Sequence, residues 1–215
     1  MSFLHGTATD ATWNIDAAKP TQLPSSGEYF VTICTKGREC VLDDPVVMGI
    51  ILDVWHALPG WFPTIELDAF VIMPNHAHLI VWLLSPDDVG ATLAVAQDRA
   101  GARPAPTEWV IPKPAAVNMA PSLGDVMGAF KSLVFTVYLD WIEMHDPARH
   151  AKFWQRNYYE HVIRHDAELA AIRRYIQDNP LHWIEDRDNP DNVRHWPLPT
   201  KVEDYLEDIQ LLIQE

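Results

Sequence analysis

Phe70-Val71-Ile72-Met73-Pro74-Asn75-His76-Ala77-His78-Leu79-Ile80-Val81-Trp82 is the stretch on which the reading of this chain turns. Two apolar runs rich in β-branched and aromatic residues are broken by Pro-Asn. The pattern predicts a hairpin, with one strand from Phe62 to Met73 and its return from His76 to Leu84. Side chains alternate faces along a strand, so His76 and His78 point the same way, about 7 Å apart at the backbone, with Ala77 and Leu79 on the reverse face. Two imidazoles so placed can share one metal ion. The same spacing also arises by chance, and only partners elsewhere in the chain give it chemical meaning. A two-residue Pro74-Asn75 link sets Met73 opposite His76 and Val71 opposite His78, whereas a bulge or a longer link changes that register. Asp68 has the opposite parity to Val71 and faces away from the histidines unless a bulge intervenes.

Upstream, Tyr29 to Thr35 reads as a strand, and Asp43-Asp44-Pro45 as a helix start with an acidic N-cap and proline at the first helical position. Val47, Ile50 or Ile51, Val54 and Leu58 supply its apolar stripe, which Pro59-Gly60 should close. Downstream, residues 85–121 are dominated by Ala, Pro, Gly and Asp and read as an excursion from the fold. Ser122-Leu123-Gly124-Asp125 resembles a capping box, and Val126, Phe130, Leu133, Val137 and Trp141 continue a long helix. Phe153 to Arg164 follows, read as helical, which puts Tyr158 and His161 on one face and turns Tyr159 away. A further helix starts at Asp166, with Leu169, Ile172 and Ile176 as its stripe, and stops at Asn179-Pro180. The expected organisation is a poorly ordered arm over residues 1–27, one domain over 28–184, and a peripheral acidic tail over 185–215.

The chain has 215 residues, a formal charge of -14 and two cysteines, Cys34 and Cys40. Their spacing matches no compact metal or redox motif, and no apolar run approaches the length of a membrane span. A cytoplasmic protein with reduced thiols and no membrane partner is expected. The acidic balance opposes nucleic-acid binding unless basic residues cluster locally. From Tyr175 onward there are ten acidic and three basic residues, but between Lys131 and Arg174 seven basic residues face six acidic ones.

Two histidines on a strand and a third on a helix would form a metal site with open positions. A phenol beside that metal could attack a phosphodiester, provided that a base or positive charge lowers its pKa from near 10. Arg156 and Arg164 could supply that charge and hold a phosphate backbone by forked hydrogen bonds. Lys131 and Asn75 complete the candidate nucleic-acid contacts. Each residue also has an ordinary reading: His161 as an isolated histidine, Lys131 as a solvated lysine, Tyr159 and Trp154 as packing groups.

The sequence resembles the REP-associated tyrosine transposases, a branch of the HUH single-strand endonuclease superfamily. The resemblance rests on Leu67 to His78 with its Met-Pro-Asn-His-x-His block, on Leu123 to Lys131, on Trp154 to Arg164, and on Tyr175-Ile176-Gln177-Asp178-Asn179-Pro180. It implies an α+β, ferredoxin-like (RRM-like) antiparallel sheet with helices packed on it. It further implies cleavage and rejoining of single-stranded or hairpin, REP-like palindromic DNA through a 5′-phosphotyrosine, with Mg²⁺ or Mn²⁺ bound. His76 and His78 match the family's metal-binding pair. Tyr158 matches its nucleophile, with Tyr159 as the alternative. His161 fits the third ligand, a role that a glutamine or an acidic residue could also fill. Both monomers and dimers occur in the superfamily, and a monomer is expected here. A hairpin-binding protein of the same fold without cleavage activity is the alternative function.

Overall fold

The computed structural model describes residues 26–85, 109–149 and 154–214. The expected arm, apart from its last two residues, and most of the excursion lie outside the described residues. Four strands, β1 (Gly27–Cys34), β2 (Ile65–Ile72), β3 (His76–Leu83) and β4 (Tyr159–Ile163), form one antiparallel sheet in the order β2-β3-β1-β4. Around it lie α1 (Pro45–Trp61), α2 (Leu123–His145), α3 (Asp166–Asp178) and α4 (Val202–Gln214). The class is α+β, as expected.

Alternation along the strands separates two cores. Tyr29, Val31 and Ile33 of β1, with Ala77, Leu79 and Val81 of β3, pack against Val47, Ile50 and Val54 of α1 and Val126, Phe130 and Val137 of α2. Phe30 and Ile80 face the other way, onto Leu169, Ile172 and Ile176 of α3 and Tyr205 and Ile209 of α4. His76 and His78 share the parity of Ile80, so they lie on this second face.

The helix starts follow from their caps. The Asp44 carboxylate accepts from the amides of Val46 and Val47, and Pro45 occupies the first helical position. At α2 the Ser122 hydroxyl accepts from the Asp125 amide while the Asp125 carboxylate accepts from the Ser122 amide. Pro59 does not close α1: it sits in the last turn, and the helix ends when the Phe62 amide reaches the Leu58 carbonyl at 3.0 Å. The hairpin has the tight register expected for a two-residue link, with the Met73 amide on the His76 carbonyl at 2.8 Å and Val71 opposite His78.

Two further expectations are corrected, and one alternative left open is decided. The stretch read as a helix from Phe153 to Arg164 contains β4, because Tyr159, His161 and Ile163 alternate with Glu160 and Val162 and the free edge of β1 offers a ladder. The tail is not peripheral, since Tyr205 and Ile209 are buried in the second core. β2 carries the bulge that simple alternation omits: Leu67 pairs with Val81 but Phe70 with Leu79, so β2 has one extra residue at Asp68-Ala69. Asp68 consequently joins Ala69 on the face of the second core, where it bonds to Trp82, whose parity is that of the histidines.

Candidate metal and nucleophile site

His76 and His78 are fully buried, with their Nε2 atoms 3.0 Å apart. Asn75 decides the state of His76. The Asn75 amide nitrogen donates to the carbonyls of Arg38 at 3.1 Å and Asp188 at 2.6 Å, which leaves its Oδ1 to accept from His76 Nδ1 at 2.9 Å. The proton of His76 is therefore on Nδ1, and its Nε2 lone pair points at His78. Thr32 Oγ1 lies 2.8 Å from His78 Nδ1. Burial and the Arg38 guanidinium lower the His76 pKa to about 3, and burial and the neighbouring His76 hold His78 well below the usual histidine range. Both rings are neutral, the form that ligates metals.

The tyrosine that reaches them is Tyr175 on α3. Its hydroxyl is 3.3 Å from His78 Nε2, and the two ring centroids are 5.1 Å apart. Burial, followed by the charges of Asp186, Asp208 and Asp188, raises its pKa well above 10, while the side chain of Asn179 acts in the opposite direction. Tyr175 faces the sheet with Leu169, Ile172 and Ile176, at the helical spacing of the apolar stripe. In the sequence Tyr175 stands only within the block that carries the resemblance, with no role assigned to it.

Two carboxylates close the site from the segment after α3. Asp186 Oδ2 is 3.8 Å from His76 Nε2, and Asp188 Oδ2 is 3.8 Å from His76 Nδ1. Ligand atoms of His76, Asp186 and Asp188 all lie within 4.8 Å of one another. Asp188 also receives the Tyr205 hydroxyl at 2.8 Å and pairs with the Arg38 guanidinium. Asp186 feels the Arg38 charge more weakly than it feels Asp188 or Asp208. Burial and Asp188 push its pKa up to about 7. Asn179 Oδ1 is buried without a hydrogen-bond partner. Neutral imidazoles with a bare nitrogen, a destabilised buried carboxylate and an orphaned amide oxygen form a donor set that fits a divalent cation. Cys34, by contrast, is pushed up to about 12 by burial and Asp188, and remains a packed thiol.

The other residues singled out by spacing lie elsewhere. Tyr158 packs in the first core, on the opposite face of the sheet, with its hydroxyl near Gly124. Tyr159 shares the histidine face but stacks edge-on with Tyr205 and donates to the Pro199 carbonyl at 3.4 Å. His161 is opposite Phe30, and its Nε2 is 2.6 Å from Glu168 Oε1. Lys131 donates to the carbonyls of Gln155 and Arg156, so it holds the loop before β4. Arg156 and Arg164 are exposed, and Asn75 is buried behind His76. Helical geometry had joined Tyr158 to His161, and the strand separates them.

No family model matches the chain. A protein of Haemophilus influenzae is 32% identical over 171 residues, covering 76% of this chain and 85% of its own length. Among solved structures, that of a REP-associated tyrosine transposase bound to a REP hairpin aligns over 85% of this chain and 81% of its own, with a TM-score of 0.41 and 18% identity. A protein described as a transposase candidate from Deinococcus radiodurans aligns over 74% of this chain and 95% of its own, with a TM-score of 0.38 and 19% identity. No helix among the described residues is long and apolar enough to cross a membrane.

Proposed function

The chain belongs to the same family as the Haemophilus influenzae protein, and we propose that it is a metal-dependent transposase that cleaves and rejoins single-stranded or hairpin DNA of the REP type through a phosphotyrosine. One observation carries the reading: Tyr175, His78 and His76 form a continuous line, hydroxyl to Nε2 at 3.3 Å and Nε2 to Nε2 at 3.0 Å. The block of sequence around each of them matches the transposase pattern described above.

In this reading His76 and His78 hold Mg²⁺ or Mn²⁺ together with an oxygen from Asp186 or Asn179. A divalent cation bound there supplies positive charge to a phosphoryl oxygen and offsets the carboxylates that now raise the Tyr175 pKa. The Tyr175 oxygen attacks phosphorus, the bond from phosphorus to the 3′ oxygen breaks, and the departing oxygen takes up a proton as a 3′-hydroxyl. The hydroxyl proton of Tyr175 passes to water. Rejoining reverses the step, with the energy of the broken bond conserved in the phosphotyrosine. Arg156 and Arg164, both exposed and flanking β4, are the proposed phosphate contacts.

The burial of both histidines and Tyr175 favours the alternative, a protein that binds hairpins without cutting them. The deciding experiment incubates the purified protein with Mn²⁺ and a REP hairpin carrying a single-stranded flank, then looks for a complex that survives sodium dodecyl sulfate. Wild type and Tyr158→Phe should form the adduct, whereas Tyr175→Phe, His76→Ala and chelator-treated protein should not. An adduct retained in Tyr175→Phe and lost in Tyr158→Phe would restore the assignment made from spacing. A gel shift with no adduct in wild type establishes the binding reading.

A further inference from the structure

We infer that α3 is held at one angle of roll by two polar hooks, one on each edge strand of the sheet, and that Asp68 and His161 are thereby positioning residues for Tyr175. The inference rests on the proposed role of Tyr175.

The sheet order makes β2 and β4 its two edges, and α3 lies over the face between them. At the β4 edge, Glu168 in the first turn of α3 takes His161 Nε2 on one oxygen at 2.6 Å and the Arg164 amide on the other at 2.8 Å. At the β2 edge, Arg173 grips Asp68 with two nitrogens, Nε to Oδ1 at 3.0 Å and Nη2 to Oδ2 at 2.5 Å. The indole of Trp82 on β3 donates to the same carboxylate at 3.1 Å, which fixes the Asp68 side chain before Arg173 meets it. The fork-to-fork geometry specifies direction as well as contact. The bulge at Asp68-Ala69 makes this second hook possible, because unbroken alternation would send Asp68 to the other face. Arg173 also feels Glu28 and Glu66, so its charge is engaged by the protein's own carboxylates and is poorly placed to serve as a DNA contact.

Arg173 and Tyr175 leave the helix about 200° apart. A pull on Arg173 therefore rotates Tyr175 about the helix axis. A small roll displaces the tip of a tyrosine by roughly 1 Å, and a misplacement of that size at a reacting group costs on the order of a hundredfold in rate. The apolar stripe of α3 alone tolerates such rotation, since Leu169, Ile172 and Ile176 are non-directional contacts. Two hooks on opposite edges do not.

The test compares wild type, Arg173→Gln, Asp68→Asn, the Asp68→Asn/Arg173→Gln pair and Glu168→Gln in three measurements. The single-turnover rate of adduct formation should fall by about 10- to 100-fold in Arg173→Gln and Glu168→Gln while hairpin affinity stays unchanged. The double variant should be no slower than Arg173→Gln, because both changes break one contact. In ¹⁵N-histidine spectra without DNA, the His78 Nε2 resonance should move in Arg173→Gln toward its position in Tyr175→Phe. An unmoved His78 resonance overturns the inference. So do effects that multiply in the double variant, or a fall in affinity that matches the fall in rate. If wild type forms no adduct, the proposed function fails, and the His78 resonance still decides whether the hooks set Tyr175.

Discussion

Asn75 makes three hydrogen bonds from a fully buried side chain, and they determine which nitrogen of His76 is available to a ligand. Asn75→Ala would take the Asn75 partner from the Arg38 and Asp188 carbonyls and from one buried imidazole N–H, at a cost of about 2–4 kcal/mol in a urea titration. Because it also frees the His76 tautomer, Mn²⁺ affinity measured by calorimetry should drop by roughly 10- to 100-fold. The sequence presents Asn75 as a turn residue beside His76 and a candidate nucleic-acid contact, not as the group that sets the His76 tautomer. Its three partners come from positions 38, 76 and 188, and no spacing rule connects the first and last of these. The same holds for Asp186 and Asp188, which in the sequence are two of many acids in a strongly acidic tail.

Glycine tolerance in the helices depends on neighbours that local pattern does not name. A side chain at Gly128 would meet nothing within 4 Å, so Gly128→Ala should raise stability by about 0.5–1 kcal/mol, read as an increase in melting temperature. A Cβ at Gly49 would lie 2.9 Å from the Trp109 ring, which is tethered by its indole N–H to Asp53 at 2.9 Å. Gly49→Ala should therefore lose stability despite the same gain in helix propensity. For α3, the Glu168 hook predicts a pH dependence. His161 and the Arg164 amide hold the Glu168 pKa below its usual value against the opposing effect of burial. A depressed carboxylate contributes stability above its unfolded pKa of 4.5 and loses it as the pH falls through the folded value. Acid unfolding of Glu168→Gln should accordingly lack part of the low-pH slope seen in wild type. The caps of α1 and α2, the apolar stripes and the hairpin itself were legible, because each is decided by residues within a few positions of one another, whereas the hairpin's register stayed open until the structure showed the link to be tight. β4 was not, because five residues with mixed periodicity take the conformation that the open edge of β1 offers.

The segment that follows α3 lies across the histidine face. Trp183 is 6.2 Å from the His76 ring, Tyr205 is 5.4 Å from the His78 ring, and Arg38 ties Asp188, Tyr205 and the Pro199 carbonyl together beneath them. A hydroxyl enclosed in this way cannot meet a phosphodiester until some of that cover moves. Ile209→Ala removes packing from α4 while leaving the side chains of His76, His78, Tyr175 and Asp186 unaltered, at a cost of about 2–4 kcal/mol in the docking of that helix. Adduct formation on the hairpin should then be faster than in wild type. A rate that instead falls with stability would show that the segment serves the site as part of its structure.

The hairpin, the shared face of His76 and His78 and the α+β class follow from the chain alone, since strand alternation and capping are local properties of consecutive residues. The tyrosine, the carboxylates and the two hooks required the folded molecule. Tyr175 becomes a candidate reacting group only when its helix is set against two buried imidazoles. Asp186, one acid among many in the tail, becomes a candidate ligand when the chain returns to bury it beside His76. Both depend on distances between residues about 100 positions apart, which packing sets and local pattern does not encode.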